Sequence, residues 1–192
     1  MQEAAPRRDP ERRRAILQAA ATAFAHAGYA ATSMEDIATE AGITKLIVYR
    51  HFETKENLYR EVLEQVFKRQ AELFVINMAH GRQAAGTVEA LLGVGREWPD
   101  GFRLLWRHAA REPQFHDYAL DLRNISVTAA REVVNRLVEK PYAEWAAQTV
   151  FDHLVDAVLN WLDYGNAAND DGFIQKETAA IQSTLLSWSN PA

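Results

Sequence analysis

A glycine between two short apolar-faced stretches constrains this chain more than any other feature. From Thr32 to Phe52 the sequence reads TSMEDIATEAGITKLIVYRHF. Met34, Ile37, Ala38 and Ala41 recur at i, i+3, i+4 and i+7, one apolar face of an α-helix. Two overlapping capping boxes precede it, Thr32-x-x-Glu35 and Ser33-x-x-Asp36, each offering a hydroxyl to an orphan amide and an acid to the positive helix end. Gly42 supplies the stop, because the left-handed residue after a helix costs least as glycine. Thr44 is placed to cap a second helix, which turns Val48 inward against Ile43 and Phe52 and leaves Lys45, Leu46, Tyr49 and Arg50 outward. A short helix with two cations, an apolar residue and a phenol on its outer face is poorly explained by packing. It is well explained by lying in a DNA major groove, so the spacing predicts a helix-turn-helix.

The rest of the chain sets the context. Its 192 residues are enough for one large or two small domains. Ala, Leu, Glu and Arg at helical spacing, with no strand-like alternation, predict an all-α protein. No cysteine is present, which removes disulfides and thiolate metal sites and fits a reducing interior. No apolar run is long enough for a membrane span and no signal peptide is visible, so a cytoplasmic protein without membrane contact is expected. The net charge of −5 looks unsuited to DNA until it is divided: residues 1–62 carry nine Lys/Arg and nine Asp/Glu, residues 63–192 twelve and seventeen. A phosphate-facing surface has to be basic only where it touches.

In chain order, residues 1–10 read as a flexible arm, with Arg7 and Arg8 as candidates for a minor groove. Ile16, Leu17, Ala20, Phe24 and Ala27 form the stripe of a first helix that Gly28 ends. Arg12, Arg13 and Arg14 in its first turn oppose the helix dipole, which a phosphate backbone would offset. Thr54 is placed to cap a long helix over about 55–80, with one stripe at Leu58, Val62, Val66, Leu73 and Ile76 and a second at Tyr59, Leu63, Phe67 and Phe74. Two stripes predict a connector gripped on more than one side. Shorter helices are expected over 87–96 and 102–110, then longer ones from Gln114 to Glu139 after Pro113 and from Pro141 to Tyr164. Asn169 to Gly172 reads as a polar loop and 173–188 as the last helix.

Residues from about Arg12 to Leu63 resemble the DNA-binding domain of the TetR family of bacterial transcriptional regulators. The resemblance rests on the combined spacing of Ile16, Ala20, Phe24, Gly28-Tyr29, Thr32-Ser33, Asp36-Ile37-Ala38, Ala41-Gly42-Ile43-Thr44-Lys45, Tyr49, His51-Phe52, Lys55-Glu56 and Leu58. It implies an N-terminal three-helix DNA-binding domain over 11–54 and a C-terminal helical ligand-binding and dimerisation domain over 55–192, with the helix 55–80 as connector. By position in the family, Thr44, Tyr49, His51 and Lys55 are implied as phosphate contacts, and Thr32 and Ser33 at a helix start suit the same role. Lys45, Leu46 and Ile47 are the candidates for base edges, since lysine donates to guanine and an apolar side chain meets a thymine methyl. Many family members place a small residue after the basic one; here Leu46 and Ile47 follow, so base preference cannot be borrowed from a relative.

In the second half, Trp98, Phe102, Trp106, His116 and Tyr118, with Asn124, Thr128 and His153 on otherwise apolar helices, are candidates to line the small-molecule pocket that the resemblance implies. The resemblance also implies a twofold homodimer through the last two long helices, with Trp145, Phe151, Leu154, Val158, Trp161, Ile181, Leu185 and Trp188 as interface candidates. No cofactor is expected. Catalysis is not expected either: the pairs His116/Asp117 and Asp152/His153 are adjacent and share no helix face, and HExxH, P-loop and GxSxG motifs are absent. The expected function is a sequence-specific DNA-binding transcriptional regulator, most simply a repressor released from a double-stranded DNA operator by a small apolar or amphipathic ligand. The alternatives are an activator, a regulator answering to a protein partner, or a ligand-binding protein whose helix-turn-helix is vestigial.

Overall fold

The computed structural model describes residues 10–80 and 83–189, and these are helical with short connections. In order they form α1 (Pro10–Ala31), α2 (Met34–Glu40), α3 (Lys45–His51), α4 (Lys55–Ala79), α5 (Gln83–Glu97), α6 (Pro99–Arg103), α7 (His116–Val134), α8 (Lys140–Tyr164) and α9 (Asp170–Trp188). The expectations for residues 1–9, among them Arg7 and Arg8 at a minor groove, lie outside the described residues.

The amino-terminal helices pack as the apolar stripes require. Ile16, Ala20 and Phe24 of α1, Ile37 and Ala38 of α2, Val48 of α3, and Phe52 bury together with Leu58, Tyr59 and Val62 of α4, each at most 3% exposed. The α1 segment is interrupted at Gly28, whose φ of +80° and ψ of 162° lie in a region that side-chain-bearing residues avoid. Gly42 adopts φ +65° between α2 and α3, the left-handed turn expected of it. Ser33 forms a complete capping box with Asp36, and Thr54 accepts the amide of Asn57 to start α4. The overlapping box at Thr32 does not form: its hydroxyl, 2% exposed at residue level, donates toward the carbonyls of Gly28 and Ala23.

The arginines at the start of α1 correct a second expectation. Arg13 pairs with Glu61 of α4, donates 3.1 Å to the His51 carbonyl and lies over the Phe52 ring. Arg14 pairs with Glu97 at 2.7 Å and lies over Trp98. Carboxylates and aromatic faces of the protein itself, rather than a phosphate backbone, compensate these two cations.

Further along, α4 packs against both α1 and α5, and α5 against α8 and α9. The predicted helix over 102–110 begins instead at Pro99 and widens into a π-helical turn over Leu104–His108 and a 3-10 turn over Ala109–Arg111. Pro113 does not open α7. The fully buried Phe115, stacked on Tyr59 at 4.2 Å, anchors the chain first, so the helix starts at His116. It ends at Val134, where a turn brings Val138 back into the core. The stretch from Asn169 to Gly172 is no loop: α9 starts at Asp170. Arg96 holds Asp170 in a two-pronged pair at 2.7 and 3.0 Å, and the Trp161 indole donates to it at 2.7 Å. These hydrogen bonds, Arg96 first, keep the Asp170 carboxyl below its ordinary pKa although burial works the other way.

Gly28 gives the sharpest test of this backbone. Gly28→Ala leaves open space around the new methyl but forces a conformation that costs about 1–3 kcal/mol. Thermal unfolding should therefore show a lower melting temperature; an unchanged one would mean that the turn relaxes without strain.

Candidate nucleic-acid interface and ligand cavity

The buried frame around Val48 and Phe52 fixes which side of α3 faces solvent. Thr44, Lys45, Leu46, Tyr49 and Arg50 are exposed, with Leu46 63% and Tyr49 43% accessible. Exposure on that scale for two large side chains on one short helix leaves both uncovered by the described residues. Lys45 reaches back to Glu35 of α2 at 3.2 Å, a pair between well-exposed groups that solvent screens strongly. Thr44 stands at the N-cap position but its hydroxyl does not cap the helix. Arg50, expected outward with them, is the second exposed cation of α3.

Five other predicted DNA-facing residues are placed differently. Ile47 is half-buried against the core, so Lys45 and Leu46 present the more accessible side chains. His51 is half-buried at the end of α3, its carbonyl holding Arg13. Ser33 spends its hydroxyl on the Asp36 cap, and Thr32 is inside. Lys55 is the clearest case. Its ammonium reaches the carbonyls of Tyr29, Ala30 and Thr32 at 2.8, 3.4 and 2.9 Å and lies 4.3 Å from the Tyr29 ring centroid. An ammonium has three hydrogens, and here three carbonyls at and just beyond the end of α1 accept them.

A second candidate site is a cavity of about 160 Å³ enclosed by α4, α5, α7, α8 and α9. Its wall is apolar, with Phe67 and Phe74 from α4, Leu91 from α5, Val133 from α7 and Phe151 from α8 among the lining residues. Among the exposed lining residues are Ala71 on α4 and Ile125 and Ala129 on α7, which places its opening between those two helices.

None of the eight residues predicted for the pocket lines it. Trp98 and Phe102 are buried core. Trp106 is packed edge-on against the back of Phe151, 5.2 Å between centroids. His116 bonds the Ala110 carbonyl and Tyr118 lies under Arg60. Asn124 and Thr128 sit in a shallow outer depression of α7, and His153 meets Glu177 on the surface. Aromatic clustering marked the core, and the polar residues fell one face away from the cavity.

The candidates for the dimer face do not share one surface of the protomer. Phe151, Leu154, Val158, Ile181 and Leu185 are at most 7% exposed and turn into the protein, all but Val158 lining the cavity. Trp161 is stacked on Phe173 and bonded to Asp170. Trp145, 52% exposed and 4.5 Å from the partly buried Trp188, remains outward, joined by Tyr142 and by Leu186 of α9. Among the described residues no helix is long and apolar enough to cross a membrane, and no group of three or more His, Cys, Asp or Glu is arranged to hold a metal.

Substitution separates the inward from the outward lysine. Lys55→Ala strands three carbonyls and should destabilise the fold by about 1–3 kcal/mol. Lys45→Ala removes a screened surface pair and should move stability by less than about 0.5 kcal/mol. Denaturant unfolding of both variants reads this directly; equal stabilities would contradict the assignment of Lys55 to the frame.

Known proteins agree with this geometry. Residues 16–62, which span α1 to α4, match the model of the bacterial regulatory proteins of the tetR family. The chain is 28% identical over 193 aligned positions to the HTH-type transcriptional activator FasR of Mycolicibacterium smegmatis, covering 93% of this chain and 82% of that protein. It is 37% identical over 90 residues to the HTH-type transcriptional repressor KstR2 of Rhodococcus jostii, a match spanning 45% of this chain and 42% of that one. In fold it is similar to a TetR-like transcriptional regulator from Rhodococcus sp. RHA1, with a TM-score of 0.78 at 19% identity over 94% of this chain and 98% of the other. With the helix-turn-helix framed by buried Val48 and Phe52, residues 16–62 carry the DNA-binding domain of the bacterial regulatory proteins of the tetR family, and the chain shares the helical architecture of a TetR-like regulator.

Proposed function

We propose that this regulator is a homodimeric repressor that grips a double-stranded DNA operator through α3 and releases it when a small molecule enters the cavity. The observation that carries the DNA half is the outward row of Thr44, Lys45, Leu46, Tyr49 and Arg50 on a helix whose other side is locked into the core. In this reading 11–54 forms the DNA-binding unit and 55–192 the ligand-binding and dimerisation unit. Thr44 and Tyr49 bond phosphate and set register, while Lys45 and Leu46 address base edges. The half-buried Ile47 and His51 support that surface from beneath.

Repression is supported by the name of the KstR2 relative, and activation by that of the FasR relative. The DNA chemistry is common to both. A dimer places two reading helices for two half-sites about 34 Å apart. Its contact face would be the outward side of α8 and α9 around Trp145, Trp188 and Leu186. The cavity supports ligand control because α4 is shared: its first turns close the core of the reading helices and its later turns wall the cavity. A ligand that favours one placement of α4 shifts the spacing of the reading helices by as much as its affinities for the two states differ.

Selection of bound fragments from random duplex DNA by the purified protein tests this reading. The recovered sites should form an inverted repeat with half-sites about one helical turn apart. Leu46→Ala should change the preferred bases, and Tyr49→Phe should weaken all sites alike. Recovery of unrelated sequences, or an unchanged motif with Leu46→Ala, would overturn it.

A further inference from the structure

The wall of the cavity is unusual in one respect. Gln70 of α4 occupies the slot four residues after Val66 in the stripe Leu58, Val62, Val66, a place that apolar residues otherwise fill. Its residue is 9% exposed, it lines the cavity, and its Oε1 is buried with no hydrogen-bond partner. An unsatisfied amide oxygen in an apolar wall costs stability, so its presence calls for a donor that arrives from outside the chain. The remaining polar lining consists of Thr87 and Ser126, and the Ser126 hydroxyl already donates to the Leu122 carbonyl. Among the described residues, none that lines the cavity is charged.

From this we infer that the cavity takes a small neutral ligand with an apolar body and a hydroxyl that hydrogen-bonds the Gln70 side chain, and that it rejects carboxylates. The inference rests on the ligand-site reading of the cavity given above. Volume sets the smallest fitting body: about 160 Å³ lined by aliphatic and aromatic groups holds a single six-membered ring. Charge fixes the chemistry. A carboxylate would lose its hydration and find no cation among the described lining residues, a penalty far above the gain of any one hydrogen bond. A hydroxyl both donates and accepts, so it matches the Gln70 amide at its oxygen or its nitrogen. Position adds a consequence, because Gln70 is flanked by Arg69, which bonds Glu97 at 2.8 Å. Glu97 in turn pairs with Arg14 of α1 at 2.7 Å, so the ligand's bond is formed next to the ion pairs that join α4 and α5 to the reading unit.

Calorimetric titration of the full chain with benzyl alcohol, toluene and benzoate tests this, using wild type and Gln70→Leu. Wild type should bind benzyl alcohol and toluene but not benzoate. In Gln70→Leu the preference for benzyl alcohol over toluene should fall about tenfold, with toluene bound at least as well as before. The ligand-free variant should also melt at a higher temperature, having lost an unsatisfied buried amide, which shows that it folds. Toluene binding with an unchanged preference in the variant, or benzoate binding as tightly as benzyl alcohol, overturns the hydroxyl assignment and leaves the cavity as a ligand site. Failure of both neutral probes to bind wild type overturns the ligand-site reading as well.

Discussion

The structure depends on α4 being buried twice. At its start Leu58, Tyr59 and Val62 close the core of α1 to α3; two turns later Phe67, Gln70 and Phe74 form one wall of the cavity. Helical periodicity makes this unavoidable, since a stiff rod of 25 residues with two apolar stripes has to be covered along both. A rod that is part of two cores cannot shift in one without disturbing the other. That constraint gives a chain of this architecture a physical route from an internal cavity to an external helix.

Charged groups fasten the same joint. Glu97 accepts from Arg69 of α4 and Arg14 of α1, so one carboxylate ties together three helices. Burial works to raise its pKa, but the two guanidinium groups win and hold it below the ordinary carboxylate value. Arg13 with Glu61 and Thr22 with Asp100 join α1 to α4 and α6. Cations that compositional reading assigns to DNA are therefore used to orient the reading unit on the body, and α3 keeps Lys45 and Arg50 for the outside.

Much of this was legible in the sequence. The turn at Gly42, the cap at Ser33, the long helix from Lys55 and the outward face of α3 all follow from local rules, because their causes lie within a few residues of one another. Pocket residues were not legible, nor was which of the dimer candidates turn inward, for a definite reason. A helix apolar around most of its circumference, as α8 is, does not reveal which sides meet its own protomer, and Phe151 and Leu154 proved to face a cavity. Trp98 and Phe102 drew attention as aromatics but are core. The informative signal was the reverse one, a polar residue in an apolar stripe. Gln70 carried it. The frame role of Lys55 is not legible, because the carbonyls of Tyr29, Ala30 and Thr32 come to it only after α1 and α4 have packed.

The central claim, that filling the cavity moves the reading helices, can be tested without knowing the ligand. The chain has no cysteine, so Glu53→Cys, on an exposed residue just after α3, gives one spin-label site per protomer. The distance between the two labels of a dimer would be measured with operator bound, and then free with and without Ala130→Phe, which fills the cavity from α7. The account predicts that Ala130→Phe moves the distance away from the operator-bound value. The same distance distribution with the cavity filled and empty, in a variant that folds as wild type, would contradict it.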